Sequence, residues 1–259
     1  MTAKISIVMP CYNSAKYIHN TLNSIFEQTV SPDELIIIDD GSTDDTLTIV
    51  KNILNKNLSL INFNLIESKH LGPGGARNIG IKNSKFEWIS FLDSDDLWEK
   101  NKIQFLKKTI SKNNRYNFFC HDEKVVGHQK IYFNYYAKNF NPKKNLFDQL
   151  YIRNLFSTSA VVCKKSLFFE HGFFREDLSS GQDYEMWLRL SPFLRPFFIN
   201  TQLGTYVLRK GSISSLSFFS RFFNELKIAF IYYDRVNILK FIFKIFRILI
   251  SFTFKFFKV

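Results

Sequence analysis

Apolar, strand-like runs alternate with helix-like stripes over the first hundred residues. This predicts an α/β fold: a doubly wound, mostly parallel sheet flanked by helices, with a C-terminal amphipathic helical tail. Three observations carry the prediction. Runs such as Leu35-Ile-Ile-Ile38 and Trp88-Ile-Ser-Phe-Leu92 read as buried strands, and acidic turns follow them. The segments between them repeat apolar residues at helical spacing. Beyond residue 215, Phe, Ile and Leu alternate with Lys and Arg.

Taken in order, residues 4–9 read as a buried strand that Pro10 ends. Residues 15–28 carry Tyr17, Ile18, Leu22, Ile25 and Phe26 on one helical stripe. A second strand covers 34–38. A helix follows over 44–56, with Ser42 or Thr43 as N-cap and acids in its first turn. Residues 60–66 read as a third strand, 75–82 as a short helix and 86–92 as a fourth strand. Residues 100–111 form a basic amphipathic helix, and 115–140 reads as strands or a hairpin. A helix over 145–153, a strand over 159–163 and a helix over 183–191 complete the pattern. A boundary near 216 separates a domain over 1–215 from a tail over 216–259.

The 259 residues suffice for a sizeable core, and 46% apolar content excludes a disordered chain. Three scattered cysteines (Cys11, Cys120, Cys163) form no metal-type spacing and no disulfide framework, which suits a reducing cytoplasm. The hydrophobic run near the N-terminus, 5–9, is too short for a signal-peptide core. The net charge is +12, and half of it lies in 216–259, where eight Lys/Arg face two acids. An anionic surface is the partner this implies.

Three acidic segments can be read as one site: Asp39-Asp40, Asp93-Ser94-Asp95-Asp96 and Asp183-Tyr184-Glu185. The first two follow strands, so their carboxylates collect at one sheet edge, where a divalent cation and a nucleotide can bind. Of Asp93 and Asp95, one can reach a ribose or metal-bound water and the other the metal. The same residues also read as a strand-end turn, with Asp96 capping a helix. Asp40 could accept a uracil imide N–H, solvate a loop that Gly41 turns, or belong to a phospho-acceptor receiver domain, which would be about half this length. Gly72-Pro-Gly-Gly75-Ala-Arg77 lacks a Walker A lysine and the last glycine of a dinucleotide fingerprint. It reads as a loop opening a helix, with Arg77 in the first turn favouring an anion, or as a plain loop and cap. Asp183 could be a general base beside Trp187, or a helix cap.

Five segments occur in one order: Pro10-Cys-Tyr12-Asn13, Asp39-Asp40-Gly-Ser-Thr-Asp44, Gly75-Ala-Arg77-Asn78-x-Gly80, Asp93-Ser94-Asp95-Asp96 and Gln182-Asp183-x-x-x-Trp187. Over residues 4–215 the chain resembles the inverting family 2 glycosyltransferases of GT-A fold, of the bacterial surface-polysaccharide type. The resemblance implies a nucleotide-binding half over about 1–98 and an acceptor-binding half over 99–215. Pro10, Tyr12 and Asn13 would line the nucleotide pocket, with Tyr12 against uracil and Asp40 reading it. Arg77 would sit near the base or phosphates, Asp93 near the ribose and Ser94 with it in the nucleotide-sugar site, and Asp95 would bind Mn²⁺ or Mg²⁺. Asp183 would be the catalytic base and Trp187 would shape the acceptor site. The family often carries a metal-joining histidine near its end; Arg209 aligns with it here. An arginine cannot ligate a cation, so Arg209, with Lys210, is expected on the donor diphosphate, with weaker metal dependence or water as the third ligand, or simply in a basic loop closing over the site.

The expected activity is transfer of a sugar from a nucleotide-sugar donor, a UDP-sugar, to a saccharide acceptor that is lipid-linked. A nucleotidyltransferase and a non-catalytic membrane adaptor are the rival readings. Lys240, Lys244, Arg247, Ser251, Lys255 and Lys258 fall on one helical stripe of the tail. Its longest uncharged stretch, 248–254, is far short of the ~20 residues that span a bilayer. The tail therefore reads as an interfacial helix on an anionic membrane at the inner face of the plasma membrane, or as a helix packed on the catalytic domain or a second subunit. A nucleic-acid partner is not expected, because the cations alternate with bulky apolar residues.

Overall fold

The computed structural model describes residues 2–57, 61–127, 130–209 and 218–256. The elements run β1 (Ile5–Cys11), α1 (Ile18–Phe26), β2 (Glu34–Asp39), α2 (Thr46–Lys56), β3 (Phe63–Glu67), α3 (Gly72–Asn83), β4 (Trp88–Phe91), β5 (Leu97–Trp98) and α4 (Lys102–Lys112). They continue through β6 (Phe118–Val126), β7 (Ile131–Asn134), α5 (Tyr136–Asn139), α6 (Leu146–Ile152), β8 (Val161–Lys164), α7 (Ser166–His171), α8 (Gln182–Leu190), β9 (Pro196–Val207), α9 (Phe218–Ile231) and α10 (Ile238–Phe256).

One mixed sheet has the order β3-β2-β1-β4-β8-β6-β9-β5, with β7 added on β6. The first four strands are parallel, as their alternation with helices predicts. In the second half, β8 runs antiparallel to β4 and β6, and β9 runs parallel to β6. The α/β class and flanking helices hold, and the parallel character belongs to the N-terminal half.

Pro10 does not end β1, which runs on through Cys11, paired with Asp39 of β2. Val8 O accepts from Leu92 N on the β4 side, so Pro10, two residues on, faces that side too. The β4 pairing has already stopped at Val8, so the missing N–H breaks no ladder bond. The helix expected from 44 begins at Thr46, with Asp45 at the N-cap position and no acid in its first turn. The glycine segment expected as a loop is helical from Gly72, which puts Arg77 in the second turn. At Gly80 an added Cβ would lie 2.4 Å from Val8 Cγ1, so glycine lets α3 sit directly on β1.

The tail is built into the fold. Ile228 and Tyr232 join the core cluster that includes Phe118, Phe156 and Trp187. The ammonium of Lys244 is buried, 2.5 Å from Glu225, and Lys240 pairs with Asp148 at 2.5 Å. These two members of the basic stripe face the protein, as the packed-helix alternative expects, while Arg247 and Ser251 of the same stripe are exposed. Ile242, Phe243, Phe246 and Leu249 are exposed too. No described helix is long and apolar enough to cross a membrane.

Candidate active site

The carboxyl ends of β1, β2 and β4 bring the N-terminal motifs together. Asp40 is buried, and its two oxygens accept from Leu71 N (2.8 Å) and Gly72 N (2.9 Å). It thereby caps the entry to α3, with His70 Nδ1 3.0 Å away. Each oxygen of the carboxylate expected to read uracil thus already accepts one backbone N–H. The exposed ring at this edge is Tyr12, stacked on His70 with centroids 4.1 Å apart. His70 escaped the sequence reading because nothing in its neighbours marks a site.

Asn13 adopts φ 47° and accepts from Thr43 N (2.8 Å) and Asp44 N (3.3 Å). It clasps two loops, a task its αL tolerance suits. Ser94 is buried, its hydroxyl 2.7 Å from that of Ser14. Pro10 is buried in its strand. Neither Ser94 nor Pro10 lines the cavity described below; they hold the turn and the strand instead.

Arg77 and Asp93 form the central ion pair, with the guanidinium almost wholly buried and Asp93 partly open. Nε and Nη1 of Arg77 are buried and find no hydrogen-bond partner. Such groups are costly unless a ligand meets them. Asp95 pairs with Arg209, whose guanidinium carbon lies 4.8 Å from the Tyr17 ring centroid. Burial and the neighbouring Asp93 push the Asp95 carboxyl above its ordinary range, and Arg209 opposes this. Lys210, expected beside Arg209, lies outside the described residues. Asp95, the residue expected to bind a metal, is met by the Arg209 guanidinium, and no group of three or more His, Cys, Asp or Glu among the described residues could hold a metal.

A cavity of about 430 Å³ opens beside this pair. Arg77 and Asp93 lie at its wall with Asp183, and Asn154, Thr158 and Tyr136 line it further. Asp40 and Asp95 are not among its lining residues, so the second and third acidic segments meet here through Asp93 and Asp183, without the first. Gly181 precedes α8 at φ 73°, and Asp183 sits in the first turn, not at the cap. Asn154 Nδ2 (3.1 Å) and Thr158 Oγ1 (3.4 Å) both donate to Asp183 Oδ2. Desolvation raises the Asp183 carboxyl, and the Arg77 charge opposes the shift. Trp187, expected at the acceptor site, is fully buried against Phe91, Phe118 and Phe174. It shapes the pocket only from behind, through Phe156, which lines the cavity.

The tail also reaches the site. Asn224 and Glu225 of α9 line the cavity, a contribution the sequence did not reveal. Asn224 donates to Ser179 and Ser180, each at 3.0 Å, and so fastens α9 beside the segment that leads into α8.

A sheet edge with an acidic turn, a buried arginine with two unmatched N–H groups and a half-buried carboxylate at one cavity suit sugar transfer from a nucleotide. The Glycosyl transferase family 2 model matches residues 6–171, and the chain belongs to that family. It is 28% identical over 223 residues to Escherichia coli WfgD, a UDP-Glc:α-D-GlcNAc-diphosphoundecaprenol β-1,3-glucosyltransferase, covering 86% of this chain and 82% of that protein. It is 32% identical over 188 residues to an uncharacterised Rickettsia felis glycosyltransferase, covering 73% of this chain and spanning only 30% of that protein. Among solved structures, S. aureus TarS with UDP-GlcNAc superposes with a TM-score of 0.71 at 24% identity, covering 88% of this chain and 66% of that one. Pyrobaculum calidifontis PcManGT, with GDP-Man and Mn²⁺, gives 0.69 at 16% identity, covering 97% and 70%. These two likenesses establish the GT-A fold.

Proposed function

We propose that this protein transfers a sugar from a UDP-sugar to a saccharide acceptor, with inversion at the anomeric carbon. The observation that carries the reading is the shared cavity: Asp183 faces the same space as Arg77, whose two unmatched N–H groups suit a diphosphate. Asp183 takes the proton of the acceptor hydroxyl as that oxygen attacks the anomeric carbon. The bond from this carbon to the diphosphate breaks on the opposite face, and UDP leaves with the electron pair. A single displacement inverts the configuration. Arg77 offsets the charge that grows on the leaving diphosphate. Tyr12 offers its exposed face to the uracil ring, and Asp93 its free oxygen to the ribose.

The acceptor lies in the cavity, where Asn154, Tyr136, Asn224 and Glu225 offer hydrogen bonds to sugar hydroxyls. A lipid-linked acceptor agrees with the name of WfgD and with the exposed apolar face of the tail. On this reading the enzyme works at the inner face of the plasma membrane, docked through α9 and α10.

The test is a thermal-shift screen with UDP-Glc, UDP-GlcNAc and UDP-Gal, followed by a UDP-release assay with octyl glycosides as acceptors. A binder of the native state raises the melting temperature. If no UDP-sugar stabilises the protein and none is turned over, the reading fails.

A further inference from the structure

We propose that the guanidinium of Arg209 takes the place of a divalent cation in this site, and that the donor binds without one. The inference rests on the nucleotide-sugar reading and concerns how the donor charge is met.

Asp95 is the carboxylate that a metal would need, and its side chain is only 15% exposed. Arg209 meets it through Nε, which leaves the two Nη groups as donors for phosphate oxygens. The arginine is anchored from both sides of the strand end. Val207 N donates to Asp96 Oδ1 (3.0 Å) and Leu208 N to Val126 O (2.8 Å), so the end of β9 is tied to the acidic turn itself. The Tyr17 ring packs under the guanidinium. A metal ion on Asp95 would have to displace this cation or sit against it, and two like charges at contact distance repel strongly in a half-buried site.

The arrangement repeats across the turn. Arg77 sits on Asp93 and Arg209 on Asp95, so two guanidinium groups flank adjacent carboxylates. Both are permanently charged, and each keeps N–H donors that its carboxylate partner does not use, so together they offer hydrogen bonds to the oxygens of a nucleoside diphosphate. Among the described residues no group of three or more His, Cys, Asp or Glu could hold a metal ion.

The test measures UDP binding by thermal shift and calorimetry in EDTA and in MnCl₂. The wild-type protein binds UDP equally in both, within about twofold. Arg209→Ala loses roughly tenfold or more in affinity under both conditions, as removal of a charged hydrogen bond does. Arg209→His binds weakly in EDTA and regains affinity with Mn²⁺, because an imidazole can ligate where a guanidinium cannot. Should Arg209→Ala unfold, Arg209→Lys keeps a cation and binds UDP without Mn²⁺. Wild-type binding that appears only with Mn²⁺ overturns the proposal, as does an Arg209→Ala protein that binds UDP normally in EDTA. A wild type that binds UDP in neither condition removes the nucleotide-sugar reading itself.

Discussion

The ammonium of Lys244 in α10 lies 2.5 Å from Glu225 of α9, and the two partners are unequally buried. The Lys244 side chain is 1% exposed, the Glu225 side chain 42%. Removing the acid leaves a buried cation with only the Ile152 carbonyl (3.4 Å) and the Tyr184 ring, whereas removing the base leaves a carboxylate that water can reach. Glu225→Ala should therefore cost about 1.5–3 kcal/mol, and Lys244→Met under about 1 kcal/mol or even stabilise. Urea denaturation of both variants checks this; equal losses would contradict the asymmetry.

This pair also shows what the sequence could and could not disclose. The spacing of Lys240, Lys244 and Arg247 fixed a helical stripe, but not which way the stripe faced. Orientation depends on Asp148 and Glu225, which meet the stripe only after folding. The parallel half of the sheet was legible because β1, β2 and β4 are largely apolar runs, β2 and β4 closed by acidic turns. β9 was not, since its residues alternate irregularly and its partner β6 carries buried charges such as Glu123 and Asp122. Asp183 and Arg77 were legible by motif. Trp187 misled, because an aromatic one turn beyond a carboxylate suits either a platform or a core, and here Phe91, Phe118 and Phe174 enclose it.

The exposed apolar face of the tail predicts membrane docking that resists salt. Phe223, Phe230 and Phe246 are 61%, 57% and 60% exposed, so replacing all three by Ser should leave the fold intact. Vesicle partitioning should fall roughly 100-fold or more, from the apolar area no longer buried. Cosedimentation with anionic vesicles should persist in 1 M NaCl, where the Debye length is about 3 Å, because Lys240 and Lys244 already have protein partners. Complete release by salt would restore the electrostatic account.

Tyr12 is 41% exposed and stacks on His70, so its loss should scarcely affect folding. Tyr12→Ala should weaken UDP by roughly 3–10-fold, about the worth of one aromatic stack, and Tyr12→Phe should bind normally. Calorimetric titration with UDP decides. An unchanged Tyr12→Ala would move the uracil elsewhere on the sheet edge.

Asp183 carries the pH dependence. Its carboxyl is raised above the ordinary aspartate value by desolvation, with Arg77 holding the shift back. A base acts only when deprotonated, so transfer should fall as pH drops through this raised value. The acid limb will lie above that of an ordinary aspartate. For folding the sign is opposite to that of a salt-bridged acid. The raised group binds its proton more tightly when folded, so above its ordinary value it subtracts from stability. Asp183→Asn removes both effects. Transfer should drop by about 10²–10⁴-fold and its acid limb should vanish, while UDP still raises the melting temperature. If Asp183→Asn retains the wild-type rate and the same acid limb, the proton goes to another group lining the cavity.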